Sequence, residues 1–258
     1  MRFSAAVLGF LFAAGCAMLQ PRRAAEPRRG AELYARMCAV CHGVNGEGFA
    51  ADKAPSLSNP DFLAAADDQF LTRGIDDGRK GTTMSVWGAK NGGPLTPSDT
   101  RDLIAFMRTW SGANRPPVKP AAKPSRPPAL PLGPVPLNPK GREPEGFHAY
   151  PAMTSVETVK RNLDKHAKMA ILDARAPTDY AVEHIAGAVS VPFYDPSPYL
   201  TKLPKDAWLV CYCGCPHAES GKLAEALITA GFMDVTVLDE GFGVWKSSNF
   251  PTTKGPLP

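Results

Sequence analysis

The sequence predicts a multidomain chain: an all-α domain, then an α/β domain with a parallel sheet, joined by a Pro-rich linker. Three observations carry this prediction. At 258 residues the chain exceeds the usual length of one domain. Between Ser111 and Gly146 it turns into a tract rich in Pro, Ala, Lys and Arg with almost no aromatics. Such a tract cannot bury a core and favours polyproline II, a stiff spacer. Before the tract, apolar residues recur at helical spacing; after it, short apolar runs alternate with helical patterns, as a parallel sheet requires.

The chain opens MRFSAAVLGFLFAAGC: one early arginine, an apolar run, and small residues leading to Cys16. The run, about a dozen residues, is too short to span a bilayer, and residues 1–15 read as a signal peptide. Ala13-Ala14-Gly15-Cys16 resembles a bacterial lipobox, which implies that Cys16 becomes the first mature residue and carries lipid. Ordinary cleavage nearby, discarding Cys16, is the alternative. Ala17 is not the aspartate that retains such lipoproteins at the inner membrane, so the expectation is an outer-membrane lipoprotein on the periplasmic side. Residues 16–27, with PRRAAEPRR, form a basic tether. Tether and linker largely account for the net charge of +4. Solvated segments explain that charge, with anionic lipid head groups as a further attraction. Nucleic acid is not an expected partner of an exported protein.

Residues 28–112 form the first domain. RGAELYARM has Leu33, Met37 and Val40 at helical spacing and ends in CAVCH. Cys38, Cys41 and His42 make the C-x-x-C-H signal for c-type haem attachment. Thiols three residues apart lie about one helical turn apart, so both reach the haem vinyls while the adjacent imidazole reaches the iron. Taken alone, C-x-x-C would equally suit a redox pair or half a zinc site. Gly43, Gly46 and Gly48 permit close, irregular turns along a flat cofactor. GTTMSVWG follows. LTPSDTRDLIAFMRTW then starts with a cap at Thr96, or at Ser98 after Pro97, and continues as an amphipathic helix. Its stripe of Leu103, Ile104, Phe106, Met107 and Trp110 should pack on the N-terminal helix.

From Arg28 to Trp110 these features resemble a small class I cytochrome c. The resemblance implies an all-α cytochrome c domain with one covalently bound haem c and Met84 as the distal ligand. Met37 and Met107 lie inside helices and read as core. Ser85 follows Met84 where the family commonly has proline. With His42 and Met84 occupying both axial positions, no open site remains for oxygen or substrate, so the domain is an electron carrier that needs a redox partner protein.

Residues 113–146 are the linker. At ~3.1 Å per residue in polyproline II, about thirty residues could hold the flanking domains up to roughly 100 Å apart. Residues 147–258 resemble a rhodanese-like domain along their whole length. KMAILDARAPTDYAVEHIAGAVSVPF is similar to that family's first signature and VTVLDEGFGVWKSSNFP to its closing one, with Gly241, Gly243 and Trp245. Met169 to Leu172 should form a buried strand ending in Asp173 and Arg175. In the family these groups mainly pin loops, so Asp173 and His184 read as structural.

The chemistry should lie in AWLVCYCGCPHAESGKLAEALITAGF. A buried strand from Trp208 to Tyr212 runs into a loop and a helix starting near Ala218 or Glu219. The resemblance makes Cys213 the nucleophile, and a helix N-terminus with loop amides would stabilise its thiolate. A thiolate there can take a sulfane sulfur as a persulfide and pass it on. The spacing to Gly231 is one residue longer than the common rhodanese spacing, suggesting a seven-residue loop. The loop lacks the basic residues that hold thiosulfate, and an anionic Glu219 should repel a dianion. Cys215 could resolve a persulfide or sulfenic acid, or close a disulfide with Cys213. His217 could serve as base or proton donor. Cys211 should be buried on the same face as Cys213. Alternating strand residues converge poorly on one tetrahedral centre, which disfavours a metal site built from Cys211, Cys213, Cys215 and His217.

The expected function joins the two halves: oxidation of a thiol or persulfide at Cys213 releases electrons that the haem accepts singly. The substrate would be a sulfane-sulfur compound or a thiol, and the enzymatic readings are sulfurtransferase or thiol/persulfide oxidoreductase. The alternatives are an electron carrier whose rhodanese-like domain only binds, and a sulfurtransferase whose haem serves a separate partner.

Overall fold

The computed structural model describes residues 23–50, 53–111, 132–214 and 217–258. Residues 1–15, read above as a signal peptide, Cys16, most of the proline-rich tract and Cys215 lie outside the described residues.

The first domain is helical: α1 (Pro27–Met37), α2 (Ala39–His42), α3 (Pro60–Ala65), α4 (Asp68–Asp76) and α5 (Pro97–Arg108). Thr96 caps α5 in a full capping box with Asp99, and Pro97 occupies the first turn, where a missing N–H costs nothing. Helices α1 and α5 cross at Gly30, where a Cβ would sit 1.9 Å from the Asp102 carbonyl oxygen. Asp102 is fully buried and accepts the Glu26 backbone N–H at 2.7 Å, with Arg29 Nε at 3.4 Å and Arg23 also in contact. The apolar stripe of α5 divides instead of facing α1 alone. Leu103 and Phe106 pack towards α1, whereas Ile104 and Met107 pack with Ala66 and Leu71. Successive helical residues point about 100° apart, so a broad stripe serves two neighbours. Trp110 closes the domain, edge-on to Tyr34 at 5.1 Å.

The second domain holds β1 (Met153–Thr154), α6 (Val156–Asp164), β2 (Met169–Asp173), α7 (Pro177–Val182), β3 (His184–Ile185), β4 (Val189–Ser190), β5 (Trp208–Tyr212), α8 (Ala218–Thr229), β6 (Val235–Leu238), α9 (Gly241–Ser247) and β7 (Thr252–Thr253). The main sheet runs β1-β6-β5-β2-β4 and every pairing in it is parallel. Its central strands are buried on both faces, as helices on both sides demand. Ala170, Leu172, Leu209 and Cys211 face α8, while Met169, Ile171, Val210 and Tyr212 face α6 and α9. That alternation puts Cys211 and Cys213 on the α8 side.

Residues 132–146 behave differently from a free spacer. Asn138 Nδ2 donates to the His166 carbonyl at 2.6 Å, Lys168 N to the Arg142 carbonyl at 2.8 Å, and Glu145 N to Asn162 Oδ1 at 2.9 Å. These bonds lay the stretch along the second domain. The two domains also touch, in place of the wide separation that the linker composition suggests. Arg36 Nε donates to the Tyr194 carbonyl at 2.7 Å, and Thr178 Oγ1 donates to the Val86 carbonyl at 2.9 Å. The Trp87 and Tyr194 rings lie 5.6 Å apart, and α2 rests against α8. Among the described residues no helix is long and apolar enough to cross a membrane.

Candidate functional site

The C-x-x-C-H run sits where α1 gives way to α2. Cys38 N donates to the Tyr34 carbonyl and His42 N to the Cys38 carbonyl, both at 2.9 Å, so the chain stays helical through the motif. Cys38 and Cys41 carry half-buried free thiols. Burial pushes the Cys38 thiol up to about 12. His42 is 9 % exposed, and its Nδ1 lies 3.1 Å from the Pro55 carbonyl. A carbonyl only accepts, so the proton is on Nδ1 and Nε2 is the basic nitrogen, the tautomer a metal-facing imidazole needs.

Met84 is half-buried on the same apolar cluster as Cys38 and Cys41. Its loop turns at Gly78 (φ +64), where a Cβ would come within 2.7 Å of the Met84 carbonyl oxygen. Met84 N donates to Thr82 Oγ1 at 3.2 Å. Two thiols, a lone-pair imidazole nitrogen and a thioether along one apolar cluster form a donor set that fits a c-type haem. Met37 and Met107 are 3 % and 4 % exposed within the helical core and belong to packing.

Cys213 follows β5 directly and is 1 % exposed. Its Sγ lies 3.3 Å from Ser220 Oγ, on the first turn of α8. Ser220 is a partner that the sequence did not announce; the only signal was a small hydroxyl one turn into the helix after the loop. Burial also keeps the Cys211 thiol neutral, in line with its strand position. His217 Nε2 meets Asp239 Oδ1 at 3.3 Å, across the turn before α9.

Glu219 corrects the expectation of an anionic repeller. It is 7 % exposed, and burial, then charge on Cys213, pushes its carboxyl well above the usual range. Burial thus favours its protonated, neutral form beside Cys213. The loop does have a cation nearby: Arg175, whose Cδ would stand 3.4 Å from a Cβ on Gly214. Its guanidinium is committed, however, with Nη2 donating to Asp173 Oδ2 at 2.6 Å and to the Glu183 carbonyl at 2.8 Å. Asp173 also accepts from the Tyr212 hydroxyl at 2.5 Å. His184 stacks on Tyr180 at 3.8 Å, with Nδ1 at 2.8 Å from the Tyr180 carbonyl. Both residues pin loops.

A cytochrome c family model matches residues 27–111, and a rhodanese-like domain model matches residues 155–248. Thiosulfate sulfurtransferase GlpE of Pseudomonas fluorescens is 37 % identical over 79 residues, covering 30 % of this chain and 71 % of GlpE. The cbb3-type cytochrome c oxidase subunit FixP of Azorhizobium caulinodans is 32 % identical over 85 residues, covering 33 % of this chain. The chain spans only 27 % of the length of FixP. A solved rhodanese-like domain from Anabaena is 25 % identical and covers 43 % of this chain and 82 % of that domain, with a TM-score of 0.39. With the match to GlpE extending over most of that protein, the chain belongs to the rhodanese-like family and carries a cytochrome c electron-transfer domain ahead of its rhodanese-like domain.

Proposed function

We propose that this is a periplasmic electron-transfer protein in which thiol and persulfide chemistry at Cys213 is coupled to one-electron transfer through a single haem c. Residues 28–112 and 147–258 are the two working domains. Cys38 and Cys41 would hold the haem through thioether bonds, and His42 Nε2 and the Met84 sulfur would ligate its iron. When bound, the haem would supply a one-electron store. Export by residues 1–15 and a lipid on Cys16 place the protein at the periplasmic face of a membrane. The observation that supports coupling is packing: Cys213 is buried in the apolar cluster against which Cys38, Cys41 and Met84 pack.

The chain's own groups account for the sulfur step. The Cys213 thiolate, beside the Ser220 hydroxyl and at the positive end of α8, attacks the outer sulfur of a persulfide R–S–SH. The S–S bond breaks, and the leaving RS⁻ takes the proton of the neutral Glu219 carboxyl. The new Cys213 persulfide, more acidic than a thiol, returns its proton to Glu219. The balance is Cys213–S⁻ + RSSH → Cys213–SS⁻ + RSH. A second thiolate that bonds to this persulfide closes a trisulfide and releases two electrons, which leave singly for the redox partner protein. Cys215 is placed in sequence to act as that thiolate. Thiosulfate is a poor donor, because the Arg175 guanidinium is spent on Asp173.

A second reading, in which the rhodanese-like domain binds without turnover, is favoured by the 1 % exposure of Cys213. Mixing oxidised holoprotein with glutathione persulfide separates the two. Coupling requires haem reduction that Cys213→Ser abolishes; unmodified Cys213 and an oxidised haem leave only the binding module.

A further inference from the structure

The three residues after Met84 each meet the second domain. Ser85, only 5 % exposed, donates its hydroxyl to Asp179 Oδ2. The Val86 carbonyl accepts from Thr178 Oγ1 at 2.9 Å. Trp87 packs on Tyr194 at 5.6 Å, and Arg36 of the first domain holds the Tyr194 carbonyl at 2.7 Å. The arm before Met84 is otherwise: residues 79–83 are exposed. Their bonds are local, Thr82 N to the Arg79 carbonyl at 3.1 Å and Arg79 N to the Met84 carbonyl at 3.2 Å. A loop with one exposed arm opens easily unless its other arm is fixed.

We infer that Asp179 and Thr178 are positioning residues for Met84, so that the rhodanese-like domain completes the distal-ligand loop of the cytochrome domain. This rests on Met84 being the sixth ligand, as proposed above. Fixing Ser85 and Val86 restricts how far Met84 can swing out, which raises the cost of replacing its sulfur by an outside ligand. A hydrogen bond to a carboxylate is among the stronger ones, and breaking it leaves a buried group unpaired. The second domain thereby acts on the haem's ligand set as well as on sulfur.

The test is imidazole titration of the oxidised holoprotein, followed by the visible spectrum and by the weak long-wavelength band of Met–Fe(III) coordination. Ser85→Ala and Asp179→Ala should each tighten imidazole binding about tenfold, or 1.4 kcal/mol. The double variant should go no further than either single one. Asp179→Asn keeps an acceptor oxygen and should stay near wild type. Ser85→Ala touches the second domain at one hydroxyl only, so it keeps the test valid if Asp179→Ala fails to fold. Shifts under threefold in Ser85→Ala, or in a folded Asp179→Ala, overturn the inference. Met84→Ala is measured alongside: a band that survives it overturns the ligand assignment itself.

Discussion

Replacing Glu219 by Gln tests the chemistry of the Cys213 cradle at one atom. The carboxyl is 7 % exposed and its pKa stands well above its ordinary 4.5, through burial first and charge on Cys213 second. In the unfolded chain the ordinary value returns, so above pH 4.5 folding must take up a proton. Because the folded pKa is raised, this group's contribution is fully present below pH 4.5 and is lost as pH rises towards the folded value. Gln has the same shape and no proton to gain. Glu219→Gln should therefore flatten that decline between pH 4.5 and pH 7 and stabilise the second domain at pH 7. Urea unfolding across this pH range measures it. Alkylation of Cys213 by iodoacetamide gives an independent readout. A neutral Glu219 predicts an apparent thiol pKa nearly unchanged in the variant. An anionic one, within the ~4–6 Å over which like charges act strongly, would oppose the thiolate by about 3–4 kcal/mol at an effective dielectric of 20, and its removal would lower that pKa by about two units. Such a drop, with no gain of stability at pH 7, would refute the neutral-acid account.

Three further outcomes follow from named contacts. Gly30→Ala forces a Cβ within 1.9 Å of the Asp102 carbonyl oxygen, so α1 and α5 must part; a loss of about 2–3 kcal/mol should appear as a lower midpoint in a circular-dichroism melt. Cys215→Ser should prolong the Cys213 persulfide in mass spectra taken after glutathione persulfide, whereas sulfur found on Cys215 with Cys213 untouched would shift the nucleophile by two positions. Cys16→Ser should release the protein from the membrane fraction or block its maturation; a wild-type chain found fully soluble, starting beyond Ala17, removes the lipid anchor.

Local features of the fold were legible because their causes are local. The Thr96 cap with Pro97 and Asp99, the buried Met169–Asp173 and Trp208–Tyr212 strands, and the start of α8 at Ala218 follow from spacing and residue type. Distant pairings were not. Ser85 and Asp179 stand 94 positions apart, and nothing in GTTMSVWG says that its serine will be buried against another domain. The polyproline composition pointed to separation, yet carbonyls of residues 132–146 bond along the second domain. Composition reports whether a segment can form its own core, and is silent on whether it lies on a neighbour's. Glu219 was misjudged for a related reason. A glutamate on a helix's first turn is ordinarily solvated and ionised, and only its burial beside Cys213 raises its carboxyl pKa. His217, two residues from Cys215 in sequence, meets Asp239 from a different turn.

Coupling between the two domains is most directly tested by stopped-flow reduction of the purified, fully oxidised holoprotein with glutathione persulfide. The account predicts growth of the reduced haem spectrum in step with consumption of the Cys213 persulfide as the trisulfide closes. Prior alkylation of Cys213 should abolish it while leaving reduction by ascorbate intact. Reduction by the persulfide at an equal rate in the alkylated protein would contradict it.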